Sequence, residues 1–152
     1  MKTLARAQER SEIVRRVRLV RADARPQWGR MSAPQMICHL SDVLCMAMGT
    51  MAVSPATSLL ARTVVKWIAL HVPLRWPPGI RTRPEIDQQI AGTRPGEFAA
   101  DVARFEATFA LFTAEPRTFE WTVHPIFGRM SEREWLRWGY LHTDHHLRQF
   151  GV

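Results

Sequence analysis

The stretch that most limits how this chain can fold is its end, Ser131 to Val152, which reads SEREWLRWGYLHTDHHLRQFGV. Ser131 followed three residues later by Glu134 has the spacing of a capping box. Met130 before the cap and Trp135 beyond it form a hydrophobic staple pair. Gly151 supplies a stop. Wound at 3.6 residues per turn, Trp135, Trp138, Gly139, His142, His146 and Gln149 share one broad face, with Arg133, Arg137, Asp144 and Arg148 opposite. His142 and His146 stand about 40° apart around the axis and about 6 Å apart along it. Two imidazoles so placed can share one metal ion at about 2.0–2.1 Å each. Thr143 follows His142 where a zincin has glutamate, so the pattern is not that motif. His145 lies at the edge of the face, a neighbour rather than a ligand. Two half-buried structural histidines are the plain alternative.

The tetrapeptide Gly128-Arg129-Met130-Ser131 that opens this helix also occurs as Gly29-Arg30-Met31-Ser32. The earlier copy has its own capping box, Ser32 with Gln35, and its own staple pair, Met31 with Met36. A helix over Ser32 to about Met48, closed by Gly49, follows. It is apolar nearly all round, as a buried central helix must be. His39 lies in its middle, and a buried imidazole needs partners for its ring nitrogens. With His142 and His146 it makes three imidazoles that can leave a position open on a metal, the pattern of catalytic zinc sites. Asp42, three residues on, is expected in solvent, with orientation of His39 as the alternative.

Helices are also expected over about 7–23, 55–72 and 96–114 from apolar residues at helical spacing. The third of the five is mostly apolar, fit for core or a subunit interface. The segment from Pro73 to Pro95 is proline-rich and irregular and carries Arg75, Arg81, Arg83 and Arg94. It is expected to cover the metal cleft, with one or more arginines positioned to grip a carboxylate. Thr118 to Val123 reads as a short extended piece, and Pro125 sets His124 in extended backbone. Five helices and no sheet make the chain an all-α bundle, a fold in which metal sites form between facing helices.

A chain of 152 residues with 46% apolar residues suits one globular domain spanning 1–152. No apolar run is long enough to span a bilayer and the N-terminus lacks a signal-peptide core, so a cytoplasmic protein that does not use a membrane is expected. Cys38 and Cys45 are too far apart on one helix to pair and read as reduced thiols. The formal net charge of +7 invites a nucleic-acid reading. The arginines of the first helix spread around it without interleaved stacking aromatics, so no nucleic-acid partner is expected.

His39 with His142-x-x-His145-His146-x-x-Gln149, together with HPIFG before the last helix, resembles the DinB-like superfamily of metal-binding four-helix bundles, and one uncharacterised branch in particular. The resemblance covers the second helix, the proline-rich loop and the C-terminal third. It implies an up-down-down-up bundle with an extra short helix or irregular loop, commonly a homodimer. It puts His39, His142 and His146 at the ligand positions for a divalent transition metal, zinc or nickel. It implies a metal-dependent enzyme for a small-molecule substrate, a hydrolase or a transferase using a low-molecular-weight thiol. A non-catalytic dimeric metal-binding module is the alternative. Neither the superfamily nor the residues assign catalytic side chains.

Overall fold

The computed structural model describes residues 1–80 and 82–152. The chain is all-α: α1 Ala7–Val17, α2 Ala33–Ala47, a π turn Ala61–Val65 running into α3 Lys66–His71, a 3-10 turn Pro84–Ile86, α4 Phe98–Phe112 and α5 Glu132–Gln149. No strand occurs among the described residues; the one β-bridge joins His124 and Gly128. No helix among them is long and apolar enough to cross a membrane.

Both capping boxes form. Ser32 Oγ accepts from Gln35 N while Gln35 Oε1 accepts from Ser32 N, and Ser131 and Glu134 repeat the exchange. These bonds satisfy helix-start donors that would otherwise have no partner. α2 is central, as its composition requires. It packs against α4 and α5, while α1 and α3 pack against α5. Met36, Ile37, Leu40, Leu44, Phe105, Phe112, Trp135 and Leu147 are fully buried in the shared core. Each such side chain stabilises the fold by about 1.5–3 kcal/mol. Gly139 allows the close approach. A Cβ there would stand 3.0 Å from both Leu4 Cδ1 and Phe112 Cε1.

Two boundaries differ from the sequence expectation. α1 stops at Val17, not near residue 23. Its last bonds tighten to Leu19 N–Arg16 O and Val20 N–Val17 O, and the turn carries Val20 into the core. The third helical segment begins at residue 59, not 55. Ala56 N bonds Pro125 O and Ser54 N bonds Glu85 Oε1, which hold the preceding chain extended. The Thr118 to Val123 piece pairs with no strand. Instead Thr122 N and Oγ1 donate to Ala47 O and Met46 O, so it caps the end of α2.

Asp42 is also corrected. It is buried, not solvated, and its carboxylate accepts from Gln88 Nε2 at 2.7 Å, Thr93 N at 2.9 Å and Thr93 Oγ1 at 2.7 Å. It ties the proline-rich loop to α2 rather than holding the His39 ring. Asp42→Ala strands these donors and is expected to cost about 3 kcal/mol in urea unfolding. A loss within error of zero would show that other contacts anchor the loop.

Candidate metal centre

α2 delivers His39 and α5 delivers His142 and His146 to one point. The ligand atoms they offer lie within 4.8 Å of one another. Ring centroids are 5.2 Å apart for His39 and His142, and 4.8 Å for each of the other two pairs. His39 is buried; the α5 pair is partly exposed. A tetrahedral ion with about 2.05 Å bonds sets its nitrogens ~3.3 Å apart, within reach of small side-chain rotations.

Hydrogen bonds select the ring nitrogens. His39 Nδ1 lies 2.8 Å from Ile86 O. A carbonyl only accepts, so Nδ1 carries the proton and Nε2 keeps its lone pair. At His146 the partner of Nδ1 is Gln149 Oε1 at 2.9 Å. The Gln149 amide is itself oriented, because its Nε2 donates to Trp28 O at 2.7 Å. This leaves the amide oxygen toward His146, so Nε2 of His146 is again the free lone pair. His142 Nδ1 is buried without a hydrogen-bond partner, as is Nδ1 of His145 outside the cluster, so no bond fixes which ring nitrogen of His142 faces its neighbours.

Burial pushes the pKa values of all three imidazoles down, those of His142 and His146 well below the usual histidine value. Mutual repulsion among the rings adds to this at His142 and His146. The Ile86 carbonyl partly offsets it at His39, and the Gln149 amide does so at His146. The cluster is therefore neutral near pH 7, the state that binds a metal.

Aromatic side chains hold the geometry. Trp138 stacks on His142 with centroids 4.9 Å apart and planes 9° from parallel. His124 packs edge-on behind Trp138 at 5.1 Å. Its Nδ1 accepts from Ile126 N at 3.1 Å and Phe127 N at 3.0 Å, so it closes the HPIFG turn and is not a ligand. His145 sits outside the triad between Trp28 and Trp76, with centroids at 5.7 and 6.4 Å. Asp144 faces away, bonded to Arg16 and Arg148.

The proline-rich loop does reach the centre. Trp76 lies 6.1 Å from the His142 ring, and Ile86 supplies the carbonyl on His39. Arg83 donates to Ser54 Oγ, Arg94 is exposed, and Arg81 falls outside the described residues. Arg75 lines an open groove of 290 Å³ with Gln27, Trp28 and Arg148. A second open groove, of 410 Å³, runs past Arg62, Val123, Phe127 and Arg129. None of the three histidines lines either groove. Cys38 and Cys45 are free thiols, and burial raises the Cys38 pKa to about 11.

Sequence reasoning left Trp28, Trp76 and the Ile86 carbonyl out of the site. It placed Gln149 on the histidine face of the helix and in the motif, without a role. Gln149 was legible as a neighbour, since it follows His146 by three residues on a helix. Gln149→Leu removes the acceptor that sets the His146 tautomer. The expected result is metal affinity 10–100-fold weaker, by competition with a chromophoric chelator, with the helical circular dichroism kept. Unchanged affinity would mean that the His146 ring is held by packing alone.

An all-α fold that gathers three neutral imidazoles from two helices defines a class: helical proteins with a three-histidine cluster that could hold a metal ion. Within that class, the chain belongs to the family described as protein of unknown function DUF1569, which matches residues 4–151. No curated protein and no solved structure matches the chain.

Proposed function

We propose that the chain binds one divalent transition-metal ion, zinc or nickel, through Nε2 of His39, Nε2 of His146 and a ring nitrogen of His142. The observation that carries this reading is the pair of tautomers fixed by Ile86 O and Gln149 Oε1, which leave lone pairs on rings that converge. Structural histidines need no such common focus. The helices are read as an up-down-down-up four-helix bundle of DinB-like type, in a cytoplasmic protein whose thiols stay reduced.

The reaction proposed is metal-dependent hydrolysis or low-molecular-weight-thiol transfer on a small molecule. When bound, a divalent ion held by three neutral ligands supplies Lewis acidity toward a water or thiol in its remaining position. The chain's own residues do the rest. Ile86 O and Gln149 hold the ligand rings in orientation. Trp76 and Trp138 shield the His142 side from water. No residue stands out as general base, so proton transfer falls to solvent.

The two grooves described above bypass the ligand histidines, which favours a second reading, a metal-binding module without turnover. Metal analysis of the purified protein followed by a scan of thiol co-substrates separates the two. Thiol or ester consumption that depends on stoichiometric metal supports the enzyme. Stoichiometric metal without turnover supports the module, and absence of metal after reconstitution defeats both.

A further inference from the structure

Most of the large apolar side chains that stay exposed, among the described residues, lie between Leu59 and Ile80. Helical pitch puts Leu60, Val64, Trp67 and Ile68 on the outward side of the π turn and α3. The opposite side meets the body, where Leu70 is fully buried and Lys66 pairs with Glu134 at 3.1 Å. Exposed apolar side chains gathered in this way mark an interaction surface. The charge of the same stretch is one-sided. Residues 43–84 contain no aspartate or glutamate, while Arg62, Lys66, Arg75, Arg81 and Arg83 lie among them. Arg62 and Arg75 are exposed. Arg62 lines the 410 Å³ groove together with Arg129, also exposed, and no acidic residue lines it. The apolar side of the helix is thus flanked by exposed cations with no carboxylate between them.

We propose that this face rests on the surface of an anionic lipid bilayer. Trp67, Val64 and their neighbours enter the headgroup region, and Arg62, Arg75 and Arg129 meet the lipid phosphates. The segment lies on the bilayer and does not cross it. From residue 59 to His71 it is about 20 Å long, against a hydrocarbon core of about 30 Å. Charge complementarity selects this occupant. The molecule carries +7 at pH 7, which draws it to an anionic surface and opposes pairing with a second copy. An exposed apolar helix side with a tryptophan in it and arginines at its edge is the pattern of a helix seated in the membrane interface. Leu60, Val64, Trp67 and Ile68 line neither of the two grooves, so a protein partner's anchor side chain has neither of them to fill at this face. A bilayer needs no pocket. The inference stands on residues that the metal reading does not use.

Flotation with extruded vesicles tests it. At about 0.15 M salt the wild type should float with vesicles of phosphatidylglycerol and phosphatidylcholine in equal parts, and at least about 10-fold less with phosphatidylcholine alone. Trp67→Glu and Val64→Glu, both at exposed positions, should bind the anionic vesicles at least about 10-fold more weakly, with an unchanged melting temperature. Arg62→Gln should bind them about five-fold more weakly. Leu111→Glu makes the same change of net charge as Trp67→Glu at an exposed leucine on α4. It should bind within about two-fold of the wild type, since a charge beyond a Debye length from the bilayer is screened. A wild type that stays with the soluble fraction would overturn the proposal and leave the face to an acidic protein partner. Variants at residues 64 and 67 that float as well as the wild type would also overturn it. So would a lipid-free dimer that Trp67→Glu dissociates in sedimentation velocity, which would assign the face to a second copy.

Discussion

His142→Ala is expected to bind a divalent metal on the order of 10³-fold more weakly than the wild type, and His39→Ala and His146→Ala equally so. A structural zinc site yields roughly 10–16 kcal/mol from its whole ligand set, so one ligand in a small set is worth several kcal/mol. His142→Ala is the cleanest variant because Nδ1 of that ring makes no hydrogen bond that the substitution would break. His39→Ala also strands the Ile86 carbonyl, at a cost of about 1 kcal/mol in stability. His145→Ala is the control. Its ring lies between two tryptophans, outside the cluster, and the variant should keep the full metal content. Elemental analysis after dialysis against excess zinc or nickel reads both outcomes. Equal metal in the wild type and His39→Ala would end the three-histidine site. Loss in His145→Ala as complete as in His142→Ala would move the ligand one turn edge away.

The second large effect is acid destabilisation through His124. Burial holds its imidazole at a pKa of about 3, against about 6.5 in the unfolded chain. Below pH 6.5 the unfolded state therefore binds a proton that the folded state refuses, and stability falls as pH falls until about pH 3. For this one proton the slope approaches 1.4 kcal/mol per pH unit, several kcal/mol in all. The structural cause is visible. A proton on Nδ1 would break the bonds from both Ile126 N and Phe127 N and charge a ring enclosed by Phe127, Trp135 and Trp138. The metal-free triad titrates in the same sense, so the informative quantity is a difference. His124→Asn keeps an acceptor for the two backbone donors and removes the titrating group. Urea unfolding between pH 6.5 and 5 should show a slope lower by about one proton in the variant, whatever its stability at pH 7. Parallel slopes would show that His124 is protonated in the folded protein.

The site's frame was readable because it is local. The two capping boxes, the i and i+4 pairing of His142 with His146, and His39 within an apolar helix are all short-range properties of the chain. They needed only the pitch of a helix to become geometry. The helix ends were less legible. Where α1 stops depends on Val20 finding the core, and where the third segment starts depends on Ala56 meeting Pro125. Neither partner is near in sequence.

What makes the three rings a prepared site came only with the tertiary structure. The carbonyl that sets the His39 tautomer is 47 residues away, and the one that orients Gln149 for His146 is 121 residues away. No periodicity carries that information, because any backbone carbonyl can accept and the sequence marks none of them. The same holds for Asp42, whose partners Gln88 and Thr93 decide between a solvated carboxylate and a loop anchor. It holds too for the segment from 59 to His71, whose composition announces an apolar helix. The ion pair of Lys66 with Glu134 and the burial of Leu70 decide which side of it faces the body. Spacing along the chain determined which residues can meet. The long-range hydrogen bonds and burial determined which atom each one offers.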